Sequence, residues 1–201
     1  MKKRGCAFSF GRLSRMALIL SAAGFACLAA QAQNTALQLD PQHTTINFTL
    51  GDALHTVRGT FQLKSGSLNL DPSSGKISGE IVVDAGSGQS GSGMRDRKMH
   101  REVLESDRYP EIKFHPDRVE GAVSLQGKSA VRVHGTFTIH GSDHELTAPA
   151  EVELSASHWT ATLHFAVPYA QWGMKNPSNL FLKVKDSVDI DVVAGGSISR
   201  P

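Results

Sequence analysis

The chain has 201 residues with 21 Lys+Arg against 19 Asp+Glu, a formal charge of +2. That slight basic excess is confined to the first 32 residues, and the rest of the chain has no basic stripe with interleaved aromatics, so nucleic acid is excluded as a partner. The two cysteines, Cys6 and Cys27, lie in the same stretch, so the remaining fold must hold together by its core alone, without disulfide or thiol chemistry.

Lys2, Lys3, Arg4, Arg12 and Arg15 form a basic start with no acid, and residues 16–30 are apolar and small. Ala30-Gln31-Ala32 then fits a small-x-small cleavage site. Residues 1–32 are therefore expected to be a secretory signal peptide cleaved after Ala32, with residues 33–201 forming one periplasmic or secreted domain. The apolar run is short for a membrane anchor. Lipid modification at Cys27 is a third reading, and Gly24 and Phe25 fit that pattern poorly. Cleavage leaves 16 basic and 19 acidic residues, a formal charge of −3.

Period-two alternation dominates the chain from Thr44 to Val192. Thr44, Ile46, Phe48 and Leu50 form the first row, and Val57, Gly59, Phe61 and Leu63 the second. Ile77, Gly79, Ile81 and Val83 form the next, bounded by the turn Asp71-Pro72-Ser73-Ser74-Gly75. Further rows are Val131, Val133, Phe137 and Ile139; Leu146 to Leu154; Trp159, Ala161, Leu163 and Phe165; and Val184, Val188, Ile190 and Val192. Gln126-Gly127 and Gly141-Ser142-Asp143 mark further turns. Strands with one apolar face, joined in a meander without disulfides, predict an all-β fold. The expected form is an eight-stranded up-and-down antiparallel barrel, which removes exposed edges. An eight-stranded barrel is either filled by side chains or holds one small ligand.

One segment breaks the alternation. Residues 85–93, rich in Gly and Ser, read as a flexible loop. Residues 94–105 read as a short α-helical insertion, with Ser92 as its cap and Asp96 in its first turn. Met99 and Val103, four apart, give it a narrow apolar seam, and Tyr109-Pro110 ends it. A lone helix in an antiparallel β chain is expected to line the mouth of a cavity.

Four stretches in order carry a family resemblance: Leu39-Asp40-Pro41-Gln42-His43-Thr44-Thr45-Ile46-Asn47-Phe48; Arg95-Asp96 with Tyr109-Pro110-Glu111-Ile112-Lys113-Phe114; Val133-His134-Gly135-Thr136-Phe137-Thr138-Ile139-His140-Gly141; and Trp172-Gly173-Met174 with the closing strand. They resemble the YceI-like family of exported, lipocalin-like, polyisoprenoid-binding proteins. The resemblance implies a barrel with an apolar pocket for an isoprenoid lipid, of the polyprenyl phosphate or isoprenoid quinone type. The implied role is carriage, storage or sequestration, in stress tolerance or in supplying quinone to electron transfer. The chain departs from the family pattern in its Gly/Ser loop, in Val103 and Leu104 where paired Phe residues are usual, and in Trp172 where Phe is common. These departures bear on ligand identity more than on fold.

The expected pocket residues are Phe48, Phe61, Leu63, Ile81 and Val83 from the early rows and Met99 from the helix. Phe114, Phe137, Ile139, Leu163, Phe165, Trp172 and Val188 complete the set. From the residues alone, a solid core is the competing reading. Arg95 and Asp96 are head-group candidates, since Arg pairs with phosphate, and the alternative for both is a first-turn charge pair at the helix start. His43 is the third candidate, against a turn histidine bound to backbone. His134 and His140 share one polar, outward strand face and His158 and His164 another, and the nine histidines form no tight cluster with Asp, so no metal site and no cofactor is expected. No Gly-x-Ser-x-Gly, activated Cys or phosphate loop points to an enzyme. An interaction barrel with a filled core and a lipid-modifying enzyme are the alternatives. Transient contact with a membrane surface fits this reading, and the oligomeric state, a dimer included, is open.

Overall fold

In the computed structural model, residues 34–51, 56–178 and 183–199 are described, and Ala32–Pro201 form one compact unit. The expected signal peptide, residues 1–32, lies outside the described residues. Nine strands build one antiparallel sheet: β1 (Thr35–Leu39), β2 (Thr45–Gly51), β3 (Thr56–Asp71), β4 (Lys76–Gln89), β5 (Glu111–Glu120), β6 (Gly127–Ile139), β7 (Ser142–Leu154), β8 (His158–Val167) and β9 (Val188–Ser199). Each strand from β3 to β9 pairs with the next. β1 and β2 occupy one position, because both pair with β3 on one side and β9 on the other. Nine segments thus make the eight positions of a closed up-and-down barrel.

The first wall strand breaks where the sequence forces it to. Pro41 has no N–H to give to a ladder. Asp40 accepts from the Gln42 N–H at 2.9 Å and caps a single tight turn over Pro41–His43. The Asp40 N–H still donates to Gly195 O at 2.9 Å, so the wall stays joined to β9 across the break.

Two bulges set which side chains face inward. Along β3 the inward series runs Val57, Phe61, Leu63, then Leu68 and Leu70. The change of parity falls at Lys64, the extra residue between the pairs Leu63↔Val83 and Ser65↔Val82. A one-residue insertion turns every later side chain to the other face, so without it Ser67 and Asn69 would point inward. β5 does the same between Pro116 and Arg118, carrying the apolar series from Phe114 and Pro116 to Val119.

The connections at the two barrel ends differ. Residues 72–75, 121–126 and 155–157 close one end with short turns. In the first, the Asp71 carboxylate accepts from the Ser73 N–H and from the hydroxyls of Ser73 and Ser74, which hold it down to about 2. The other end carries residues 90–110 and, among the described residues of the next long connection, 168–178 and 183–187. Buried side chains divide accordingly. Leu37, Leu68, Leu70, Ile77, Leu154 and Trp159 belong to one cluster, and Leu104, Ile112, Ile139, Val167, Tyr169 and Met174 to another, with Phe61, Val83 and Ile190 touching both.

The Gly/Ser stretch is not a loop over its whole length. Residues 85–89 continue β4, where Gln89 pairs with Thr60 and Ala85 is buried. Gly88 is needed there: a Cβ would lie 2.6 Å from the Phe61 ring and 2.7 Å from Met99 Cε. Gly59 on β3 likewise leaves room for Phe48, whose ring would meet a Cβ at 2.3 Å. Gly88, read as flexibility in the sequence, and Gly59, read as a strand position, are clearances beside a tilted Phe48–Phe61 pair with centroids 5.4 Å apart.

Candidate functional site

The inward rows do not meet at the barrel axis. They enclose a cavity of about 420 Å³ that is lined from both core clusters. One water needs only about 10–15 Å³ of such space, so the core is open, not filled. Its wall is overwhelmingly apolar, running from Leu70, Ile77 and Trp159 toward the closed end to Met99, Val103 and Leu104 at the other.

The segment across the open end has more structure than its composition implies. Helix α1 (Gly93–Lys98) runs directly into a wider turn, Met99–Val103, where the Leu104 N–H bonds back five residues to Met99 O at 2.9 Å. Ser92 occupies the cap position without a side-chain bond. The bracket is Ser90 instead. Its N–H donates to the Asp96 carboxylate at 2.8 Å and its hydroxyl donates to the same oxygen. Arg95 completes the clasp by donating to Ser90 O at 2.9 Å and to Ser90 Oγ at 3.2 Å. Asp96 is held below the usual carboxylate range, chiefly by the Ser90 hydroxyl, with the Ser90 N–H and the charges of His100 and Arg95 adding to it.

A helix puts residues three and four apart on one face. Arg95, Lys98 and Met99 therefore turn together to the cavity, followed by Val103 from the wider turn. Lys98 Nζ donates to Pro177 O at 3.0 Å, tying the helix to the segment between β8 and β9. Lys175 and Glu102 form a second tie at 2.6 Å. On that segment Tyr169 is buried at the cavity wall and its hydroxyl donates to Lys185 O at 2.6 Å. Burial, and then the charge of Asp186, push its phenol up to about 12. Among the described residues, no carboxylate lies within ion-pair distance of Arg95 or Lys98.

The structure gathers most of the expected pocket residues on one wall. Phe48, Phe61, Leu63, Ile81, Val83, Met99, Phe114, Phe137, Ile139, Leu163, Phe165 and Val188 all line the cavity, as does Arg95. Three candidates are not brought there. The Asp96 carboxylate is spent on Ser90. His43 sits on the tight turn in the wall, exposed, with Nδ1 2.6 Å from Asp40 Oδ2, in the place of a turn histidine. Trp172 stacks on His144 at 4.1 Å and packs on Phe137, behind the lining. Sequence reasoning missed Ser90, Lys98, Tyr169, Met174 and Pro177. Lys98 was within reach, since it stands three residues after Arg95; the others depend on how the two long connections fold over the opening.

The histidines of the outer strand faces meet carboxylates. His134 lies between Asp117 and Glu145 at 2.9 and 2.8 Å, and His164 beside Asp191 at 2.7 Å. Among the described residues, no three His, Cys, Asp or Glu side chains gather as metal ligands would.

Comparison with known proteins agrees with this architecture. No curated protein matches the chain. Among solved structures, a polyisoprenoid binding domain from Saccharophagus degradans is 19% identical, with a TM-score of 0.62 over 82% of this chain and 98% of that one. Burkholderia cenocepacia BcnA is 17% identical, with a TM-score of 0.65 over 79% and 99%. The Campylobacter jejuni YCEI protein is 15% identical, with a TM-score of 0.58 over 72% and 86%. At these identities the likeness is one of fold. The sequence pattern of the YceI-like domain matches residues 37–194, which span the wall from β1 into β9, and the chain belongs to the YceI-like family.

Proposed function

We propose that the protein binds an amphiphilic isoprenoid lipid, with the tail in the barrel and an anionic head group, as in a polyprenyl phosphate, at Arg95 and Lys98. The observation that supports this most is the pairing of an apolar cavity with two cations on one helix face at its edge, with no carboxylate within ion-pair distance of either among the described residues. A prenyl tail needs only non-directional apolar contact, worth about 25 cal/mol per Å² removed from water. A phosphate needs charge and donors, and Arg supplies a planar fork for it. The solved structure of the Saccharophagus degradans domain is described as polyisoprenoid-binding, which agrees with this assignment. The protein is then a carrier, store or sequestering agent and not a catalyst, exported by the leader that residues 1–32 spell out.

The test separates head from tail. Replacing Arg95 and Lys98 together by Ala should weaken a polyprenyl phosphate at least tenfold and leave the prenyl alcohol of equal length within about twofold, because hydrogen bonds from cations to a phosphate at the edge of an apolar cavity contribute about 1.5–3 kcal/mol. Equal loss for both ligands would assign the two cations to structure, and no binding of either by the native protein would remove the lipid reading.

A further inference from the structure

The helix that lines the opening has a second face. Met94, Arg97 and Arg101 follow the i, i+3, i+7 pattern and are all exposed, away from the face that carries Arg95, Lys98 and Met99. Met94 is 76% exposed, the most of any large hydrophobic residue among those described. Residues 93–101 hold four basic side chains and a single acid, Asp96, in a domain whose formal charge is −3. That acid is occupied by Ser90, and Glu102 just beyond is occupied by Lys175. Among the described residues, no carboxylate lies within ion-pair distance of Arg97 or Arg101, although the charge of Arg101 helps hold Glu102 below the usual carboxylate range. An apolar tip flanked by unpaired guanidinium groups is what an anionic bilayer surface accepts: the thioether enters the head-group boundary and the arginines stay at the phosphates.

From this juxtaposition we propose that the outer face of the helix, Met94 with Arg97 and Arg101, is a docking surface for anionic phospholipid membranes, and that docking brings the cavity opening to the bilayer. An acidic protein would satisfy the arginines alike. The membrane is favoured because the exposed Met94 has no role against charge alone, and because the same helix carries the lining of an apolar cavity on its other side. The assignment does not depend on what fills that cavity.

Vesicle co-sedimentation of residues 33–201, which include the whole closed barrel, tests it without the basic leader. Binding is expected to vesicles containing roughly one-third phosphatidylglycerol, to be absent on pure phosphatidylcholine, and to weaken as salt shortens the Debye length below about 10 Å. Each basic side chain near such a surface is worth roughly fivefold in partition, so R97Q/R101Q should lose on the order of 25-fold. M94S should lower binding further at high salt, where the apolar contribution remains. The melting temperature and the affinity for a soluble prenyl ligand, measured on the same variants, should be unchanged. Equal binding to neutral and anionic vesicles, binding untouched by R97Q/R101Q, or capture of an acidic polypeptide without vesicle binding would each overturn the proposal. So would a parallel loss of prenyl affinity, which would place this face in the cavity instead.

Discussion

The two ends of the barrel are held by different physics. At the closed end, short turns join ladder to ladder and the space between is occupied by Leu70, Leu154 and Trp159, all nearly inaccessible. At the open end, no residue of α1 or of the turn after it is buried. Polar ties join that segment to the connection between β8 and β9, Lys98 to Pro177 and Lys175 to Glu102, over a smaller buried cluster that includes Leu104, Tyr169 and Met174. Exposed ion pairs contribute about 0–1 kcal/mol each, whereas a buried leucine contributes several times that. The closed end is therefore the folding core, and the open end can part locally at a cost well below that of global unfolding. An occupant of the cavity would enter most easily at this end.

The largest test of that contrast compares one leucine with one lid methionine. Leu154→Ala should cost about 3–4 kcal/mol in urea unfolding, near the upper part of the range for buried leucines, because its 2% exposure leaves no way to refill the space with water. Met174→Ala, in the segment over the opening, should cost about 2 kcal/mol and change ligand affinity more than Leu154→Ala does. Equal costs in stability and in affinity would erase the distinction between the ends.

Gly88→Ala comes next. The added methyl meets Phe61 and Met99 in the region that joins the two clusters, and overpacking of this kind costs about 1–3 kcal/mol. Because Met99 belongs to the helical segment, the strain should also appear as a change in ligand affinity. A neutral outcome in both would mean that the helix yields freely.

Tyr169 predicts a pH signature of the lid. Its phenol titrates near 10 when unfolded and at about 12 in place, so the stabilisation is fully present below pH 10 and is lost as pH rises toward 12. The loss should be on the order of 2 kcal/mol, and Tyr169→Phe should flatten the alkaline limb of stability against pH. An identical alkaline limb in that variant would remove the burial of the Tyr169 phenol from the account.

The smallest effect has the opposite sign. Thr35 is 1% exposed and its hydroxyl finds no partner among the described residues. Thr35→Val keeps the β-branched shape that suits β1 and removes a desolvated polar atom, so it should raise stability by about 1 kcal/mol. A destabilised variant would show that the hydroxyl is satisfied in solution.

The wall of this barrel was largely legible, and its lid was not. Alternation is a local signal, so Phe48, Phe61, Phe137, Leu163 and Phe165 were identifiable as one inward set before any contact was known. Even the bulge at Lys64 left a trace, since the apolar positions change from odd to even between Leu63 and Leu68. The lid depends on pairings that no period encodes. Ser90 meets Asp96, Lys98 meets Pro177 79 residues away, and Trp172 turns from the cavity to stack on His144. Glycine misled for a related reason. In isolation Gly88 means freedom, whereas against the Phe61 ring it means clearance.

Native mass spectrometry of the protein purified from its producing cells, followed by organic extraction, tests the central claim most directly. The account predicts a single copurifying isoprenoid lipid with an anionic head group, released from the cavity on denaturation. A ligand-free barrel whose melting temperature stays fixed in the presence of both prenyl phosphates and prenyl quinones would contradict it.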